Sequence, residues 1–307
     1  MNFVAGNAQH IGSRQQQQDS FGFFNLEPHS LCGHAGMLAV VADGMGGMAH
    51  GEVAGRLAVD TFLAAYQRKT ESETIPESLL RSLHAANHAV FEKAVELDAA
   101  EEMGTTLIAA VIHDQRLHWI SCGDSAIFLY RQGEFTLLNQ PHVFGVELDD
   151  QVEQGTIPRN LAQAHPERDS LTSFLGLQNV FLIDRSLHSL ALREDDVILL
   201  ATDGLFKTLS FDAMTPSMQH DAQTMCTNLV KHTIGVKKPF QDNVTVIALT
   251  AGSRAPLSPS ADRKQSKLAI ILFVAGLLLV AAYIIFRLAD SQSDRNSPRP
   301  QGELRKG

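Results

Sequence analysis

Aspartates that follow apolar, strand-like runs are the feature that most constrains how this chain folds. Met37–Ala42 runs directly into Asp43, and Val197–Thr202 runs directly into Asp203. Carboxylates at strand ends can converge in the folded protein although they lie far apart in sequence. Such a cluster is unfavourable, because like charges repel and raise one another's pKa, and a bound divalent cation relieves it. All-oxygen ligation favours magnesium or manganese over zinc. The sequence therefore predicts a carboxylate-held metal centre.

Two further segments, Arg14–Asp19 and Asp242-Asn243, add charged side chains to this pattern. Each residue also has a plainer explanation when it is taken alone. Asp43 and Asp242 would suit ordinary turns, and Asp203 would suit a helix N-cap. Arg14 would suit a solvent-exposed surface position. Only the combination of segments favours a shared site.

Strand-like stretches alternate with turn signals and surround two strong helical patterns. Strands are predicted at 20–26, 36–42, 105–112, 117–122, 126–130, 134–138, 180–187, 196–201 and 243–249. Helices are predicted at Gly51–Arg68 and Pro76–Asp98, after Asp203, and around Ala222–Ile234. This order indicates an α+β layered fold. Residues 139–178 carry several breakers and few strand signals, which indicates an irregular, functional stretch.

Six ordered blocks within residues 1–250 resemble the bacterial form of the metal-dependent protein phosphatase 2C family. The blocks are Arg14–Asp19, Val40–Gly47, Met103–Thr106, Cys122–Ser125, Leu200–Gly204 and Asp242–Thr245, and Arg168–Gly176 resembles a further family segment. The resemblance implies a layered α-β-β-α sandwich of two antiparallel sheets flanked by helices. It also implies that residues 139–178 include a flap beside the active site, which influences substrate choice.

The resemblance assigns a role to each candidate residue. Asp43 would bridge two metal ions, and the carbonyl of Gly44 would bind the second ion. Asp203 and Asp242 would complete the ligands of the first ion, and Asp19 would accept hydrogen bonds from metal-bound waters. Two further roles are implied: Arg14 would contact the substrate phosphate, and Asp124 would share a weaker third metal site with Asp203. An ordinary hairpin turn explains Asp124 equally well.

The activity that the resemblance implies is hydrolysis of phosphoserine and phosphothreonine in proteins, by a water that bridges two Mn²⁺ or Mg²⁺ ions, with a third ion possible. The partners would be phosphorylated proteins and a serine/threonine kinase. Four departures from the family pattern, Met45, Ala126, Gln17 and Pro141, put flap contacts and the substrate range in doubt. Two alternatives stay open: a catalytically silent module that binds phosphoproteins, and a hydrolase of small phosphate esters.

Composition narrows the possible partners and the compartment. The formal charge is −9, from 25 basic and 34 acidic residues, which argues against nucleic acid as a partner. The three cysteines, Cys32, Cys122 and Cys226, are odd in number and lack metal-ligand spacing. They favour a reducing compartment over a disulfide framework.

The C-terminal part of the sequence contains an uncharged apolar run at 268–286. As a helix it would measure about 28 Å, close to the hydrocarbon thickness of a bilayer. We therefore predict a catalytic domain at 1–251, a linker at 252–267, a transmembrane helix at 268–288 and a short polar tail at 289–307. Basic residues flank the run on both sides and give no orientation. The sequence begins without a signal-peptide pattern, so we expect a single-pass protein of the bacterial inner membrane with its catalytic domain in the cytoplasm.

Overall fold

The computed structural model describes residues 3–26, 33–45, 50–100 and 102–251. These residues belong to one compact unit, Met1–Pro256. The strands of this part of the chain are β1 (Phe3–His10), β2 (Asp19–Phe24), β3 (Met37–Asp43), β4 (Leu107–His113), β5 (Arg116–Cys122), β6 (Ala126–Arg131), β7 (Glu134–Leu137), β8 (Asp184–Arg185), β9 (Leu190–Ala191), β10 (Val197–Ala201) and β11 (Val244–Ala251).

The strands form two antiparallel sheets. One sheet has the order β1-β11-β10-β6-β7, and the other has the order β2-β3-β4-β5-β8, with β9 also paired to β5. Strands from the two ends of the domain therefore meet: β1 pairs with β11 from Phe3↔Ala251 to His10↔Val244. The predicted pair of antiparallel sheets is confirmed.

Helices connect the strands, and the longest of them pack on the outer faces of the sheets. They are α1 (Gly51–Tyr66), α2 (Ile75–Glu96), α3 (Phe144–Glu153), α4 (Arg159–Gln163), α5 (Asp203–Phe206), α6 (Phe211–Met214) and α7 (Ala222–Gly235), with 3-10 turns at Gly33–Ala35 and Thr215–Gln219. The helix α2 begins with a capping box, in which the Thr74 side chain and the Glu77 backbone and side chain satisfy one another. The two long helices thus begin and end within a few residues of their predicted bounds.

Three buried apolar layers hold the sheets and helices of the sandwich together. Alternate residues of β3 point in opposite directions: Leu38 and Val40 pack under α1 and α2, whereas Ala39 and Val41 face the other sheet. The inter-sheet layer also contains Ile198, Leu200, Ile247 and Leu249. A third layer lies between the β10–β11 face and α7, where Val246 and Leu229 are fully buried. Strands buried on both faces read as continuous apolar runs, which is why β3 and β10 were recognisable in the sequence.

Two parts of the fold were missed by the sequence patterns. Strand β1 was not predicted, because its sequence FVAGNAQH mixes weak strand formers and buries only one residue well. Residues 139–178 were expected to be irregular but contain the short helices α3 and α4.

The predicted membrane span at 268–286, with its linker and tail, lies outside the described residues. Within 3–26, 33–45, 50–100 and 102–251, no helix has the length and hydropathy needed to cross a bilayer.

Candidate metal and phosphate site

Strand ends from both sheets bring four of the predicted aspartates to one edge of the sandwich. Asp19 opens β2 and pairs in register with Asp43, which closes β3. Asp203 follows the end of β10, and Asp242 precedes the start of β11. Because β10 and β11 are antiparallel neighbours, these two points also lie side by side. Each sheet thus contributes two carboxylates.

Asp43 lies at the electrostatic centre of this group. Burial raises its pKa well above the ordinary value, and the charges of Asp19, Asp203, Asp124 and Asp242 raise it further, in that order. All four of these carboxylates therefore lie close enough to Asp43 to repel its charge. This is the convergence that the sequence pattern predicted, and it includes Asp124 from the β5–β6 turn.

Asp19 is buried and joins the two sheets. Its Oδ2 accepts hydrogen bonds from the hydroxyl groups of Thr202, at 3.0 Å, and Thr245, at 2.7 Å. Its Oδ1 is buried without a hydrogen-bond partner in the structure. Burial raises the pKa of Asp19 to about 7, although the two hydroxyl groups oppose this shift. A buried carboxylate oxygen without a partner is unfavourable unless a cation or a water reaches it.

The outer carboxylates are held by basic side chains of the chain itself. The Nζ of Lys207 lies 2.8 Å from Oδ2 of Asp203 and 3.2 Å from Oδ2 of Asp124. The guanidinium of Arg14 contacts Oδ2 of Asp242 through Nη2 at 2.7 Å. Among the described residues, no three His, Cys, Asp or Glu side chains form a ready-made ligand set. The structure thus shows the carboxylates close together, with the outer ones paired to Lys207 and Arg14.

The donor chemistry nevertheless fits divalent cations. Asp19 is buried and Asp43 is half-buried, both are repelled by their neighbours, and their oxygens are hard ligands of the kind that Mg²⁺ and Mn²⁺ prefer. The unpartnered Oδ1 of Asp19 points to the same conclusion. Asp43, Asp203, Asp242 and Gly44 would hold the ions, and Asp19 would support them.

Two hydroxyl residues fix the backbone of Asp43. Its N–H donates to Oγ1 of Thr106 at 3.0 Å, and its carbonyl accepts from the N–H of Thr106 at 2.9 Å. Thr106 Oγ1 is also hydrogen-bonded to Oγ of Ser125 at 2.8 Å. Two sequence blocks, Met103–Thr106 and Cys122–Ser125, therefore act on Asp43 by positioning it. Thr106 and Ser125 were not singled out as site residues by sequence reasoning.

Asn243 fastens the Arg14 segment to the start of β11. Its Nδ2 donates to the carbonyls of Ile11, at 2.8 Å, and Gln16, at 3.1 Å. Its Oδ1 accepts from the N–H of Gln18 at 2.8 Å. The residue is only 3% exposed. The sequence drew attention to the Asp242-Asn243 pair, but nothing in the sequence indicates the contacts of Asn243.

Glycine is required at two positions beside the aspartates. A Cβ on Gly44 would lie 2.2 Å from the carbonyl oxygen of Gly51, and one on Gly204 would lie 2.0 Å from that of Asn243. Both contacts are with backbone, so neither can be relieved by a rotamer change. The Asp43-Gly44 and Asp203-Gly204 pairs therefore allow close backbone approach at the site.

The segment between β7 and β8 is tied to the site at its base. Leu175 exchanges two backbone hydrogen bonds with Thr105, at 2.8 and 3.0 Å, and Thr105 also forms an antiparallel bridge with Gly44. Farther out, Arg168 binds Asp149 on α3 with both terminal nitrogens, at 2.6 and 3.0 Å. Residues 139–178 thus form an ordered structure next to the candidate site.

The residues that depart from the family pattern also lie close to the site. The N–H of Met45 donates to the carbonyl of Gly104 at 3.3 Å, and Ala126 pairs with Ala201 at the ends of β6 and β10. His142, which follows Pro141, binds Gly123 twice, through its own N–H and through its Nδ1. It thereby holds the turn that carries Asp124.

The raised pKa of Asp19 leads to a testable pH dependence of the metal-free protein. The folded protein binds a proton at Asp19 up to about pH 7, whereas the unfolded chain releases it near 3.8. This group therefore destabilises the fold progressively as pH rises between those values. His118 and His142, whose pKa is lowered by burial, act in the opposite sense near neutrality. Comparison with Asp19→Asn cancels the contribution of the two histidines, while the substitution also removes the charge of Asp19 from Asp43.

In chelator, we expect Asp19→Asn to unfold at a higher temperature than wild type, by a margin that grows from pH 5 to pH 7.5. Thermal unfolding followed by circular dichroism measures this margin. A margin that is constant or shrinks over that range would contradict the raised pKa. Added Mn²⁺ should reverse the order of stability at pH 7.5, since the carboxylate is needed for the ion.

Comparison with known proteins places these features in context. The sequence model of the family described as protein phosphatase 2C matches residues 7–235. The serine/threonine protein phosphatase PstP of Mycobacterium tuberculosis (strain H37Rv) is 30% identical over 211 residues, which cover 68% of this chain and 39% of that protein. The chain thus matches well under half the length of that relative.

Solved structures show the same fold. The S. agalactiae serine/threonine phosphatase superposes with a TM-score of 0.68 at 26% identity, covering 81% of this chain and 99% of that one. The catalytic domain of a serine/threonine protein phosphatase PstP, solved in complex with two manganese ions, superposes with a TM-score of 0.63 at 24% identity, covering 81% and 97%.

Proposed function

Because the chain belongs to the protein phosphatase 2C family, we propose that it hydrolyses phosphoserine and phosphothreonine in proteins with the help of two divalent cations, Mn²⁺ or Mg²⁺. The observation that carries this proposal is the convergence of Asp19, Asp203, Asp124 and Asp242 on Asp43. Two divalent cations would offset the repulsion within this group. One solved family member is described as a complex with two manganese ions, which supports the choice of ion.

In this proposal the chain supplies the ligands and the geometry. Bound cations would lower the pKa of a water molecule so that it can attack phosphorus near neutral pH. Asp43 and the Gly44 carbonyl would hold the ions together with Asp203 and Asp242. Asp19 would accept hydrogen bonds from metal-bound waters through its unpartnered Oδ1.

Arg14 is the proposed contact for the substrate phosphate. It engages Asp242 with Nη2, and a guanidinium has further donors arranged in a plane that suits phosphate oxygens. Its position beside a proposed metal ligand would bring one positive group next to the phosphate of the substrate. The side chain is 42% exposed, so a substrate can reach it.

We also propose that residues 268–286 anchor the domain in the bacterial inner membrane, with the catalytic domain in the cytoplasm. The support is the uncharged apolar composition of that run. Anchoring would raise the effective concentration of the enzyme near membrane-bound phosphoproteins. A serine/threonine kinase must supply such substrates, since phosphate esters on these hydroxyl groups are made by phosphoryl transfer.

The experiment that tests the activity measures phosphate release from a phosphothreonine peptide by the full-length protein, with titrated Mn²⁺. We expect release that requires Mn²⁺, stops in chelator and is lost in Asp203→Asn. Asp212→Asn is the matched control, since Asp212 is an exposed aspartate on α6 away from the carboxylate group. No release from the peptide by a folded, metal-loaded protein would refute the proposal. Release from small phosphate esters alone would favour the metabolite hydrolase.

A further inference from the structure

Lys207 stands between two of the site's carboxylates. It lies four residues after Asp203, at the C-terminal end of α5, and its N–H donates to the carbonyl of Asp203 at 2.9 Å. Its Nζ then reaches back to Oδ2 of Asp203, at 2.8 Å, and across to Oδ2 of Asp124, at 3.2 Å. The short helix fixes the starting point of the side chain, so the ammonium is placed by local backbone structure as well as by charge.

These two carboxylates are the pair that a third metal ion would require. Asp124 is 11% and Asp203 19% exposed, so both are largely removed from water. A divalent cation between them would have to lie about 2.0–2.6 Å from their oxygens. The ammonium of Lys207 already contacts one oxygen of each, and two cations in one small space repel each other.

The other carboxylates of the group differ in this respect. The charges that shift the pKa of Asp43 most are all carboxylates, and Asp19 receives hydrogen bonds from two hydroxyl groups. Asp124, by contrast, has a basic partner within the chain. The unbalanced negative charge is therefore concentrated at Asp43 and Asp19, away from Asp124.

We propose that Lys207 takes the place of a third divalent ion between Asp124 and Asp203, so that this site binds two metal ions and no more. Lys207 is then a positioning residue, which holds Asp124 and orients Asp203 through Oδ2 while leaving Oδ1 of Asp203 to the metal. The inference rests on the proposed two-metal phosphatase site. It replaces the expectation of a possible third ion with a fixed number of two metal ions per protein.

The test counts bound Mn²⁺ in the full-length protein, purified in mild detergent, by equilibrium dialysis and elemental analysis across a Mn²⁺ titration. Four proteins are compared: wild type, Lys207→Ser, Lys207→Arg and the double variant Lys207→Ser/Asp124→Ala. Serine removes the ammonium and opens the space, whereas arginine keeps the positive charge. The side chain of Lys207 is 37% exposed, and thermal unfolding verifies that each variant is folded.

We expect two ions in wild type and in Lys207→Arg, three in Lys207→Ser, and two again in the double variant. Three ions in wild type, or only two in Lys207→Ser, would overturn the inference while leaving the two-metal site intact. Failure of every protein to bind Mn²⁺ would instead refute the metal centre itself, and this inference with it. A purely structural role for Lys207 would alter stability without adding an ion.

Discussion

Asp43→Asn is expected to lower phosphate release from a phosphothreonine peptide by about a thousandfold or more. The substitution removes the one carboxylate that all four other aspartates of the group approach. Loss of metal-borne charge stabilisation is worth several kcal/mol, and about 1.4 kcal/mol corresponds to a tenfold change in rate. Initial rates at saturating Mn²⁺ measure the effect.

A measurement of stability distinguishes loss of metal binding in Asp43→Asn from loss of the folded structure. Asp43 is half-buried among like charges, so its replacement by a neutral isostere should leave the metal-free protein at least as stable as wild type at pH 7. Asp114→Asn serves as the control, because the Asp114 side chain is 84% exposed. Retention of wild-type rates by Asp43→Asn would show that Asp43 does not bind the metal.

Asn243→Ala is expected to lower the free energy of unfolding by about 2–4 kcal/mol and to weaken Mn²⁺ binding. The change removes three hydrogen bonds, to Ile11, Gln16 and Gln18, from a site that is 3% exposed. Each buried group left without a partner costs about 1–3 kcal/mol, and water can replace part of this at the exposed end of the segment. Urea unfolding of the metal-free protein gives the free energy.

The control for this variant is Asn160→Ala, an exposed asparagine in α4, for which a change within about 0.5 kcal/mol is expected. The segment that Asn243 holds contains Arg14 and leads into Asp19, so metal affinity and stability should fall together. A stable variant with unchanged Mn²⁺ affinity would mean that the Arg14 segment is held by other contacts.

The fold was largely predictable, because the inner strands carry their own signal. The apolar runs of β3 and β10 are buried on both faces and therefore identify themselves without an alignment. Strand β1 is different, because its own residues are weak strand formers. Its strand conformation depends on the hydrogen bonds that it makes with β11. The helices α3 and α4 were hidden by the breakers around them.

The acidic residues of the site could be predicted from the sequence, but the side chains that bind to them could not. Asp43 and Asp203 stand at strand ends, where sequence position alone indicates a shared edge. The bonds from Thr202 and Thr245 to Asp19 join positions 183 and 226 residues apart, and no local pattern specifies them. The ion pairs of Lys207 likewise depend on where the β5–β6 turn places Asp124.

The division of the site between the two sheets has a consequence for how the protein is made. Asp19 and Asp43 come from the sheet built early in the chain, whereas Asp203 follows β10, Asp242 precedes β11, and the hydroxyl of Thr245 lies on β11. During synthesis the N-terminal end of the domain leaves the ribosome first. Strand β1 therefore has no pairing strand until β11 has also left the ribosome. A nascent chain cut short before β10 would leave β1 without its partner and would contain Asp19 and Asp43 without Asp203 and Asp242. Enzymatic activity would then appear only after the final strand has been synthesised. Measured activity would therefore indicate that translation of the domain is complete.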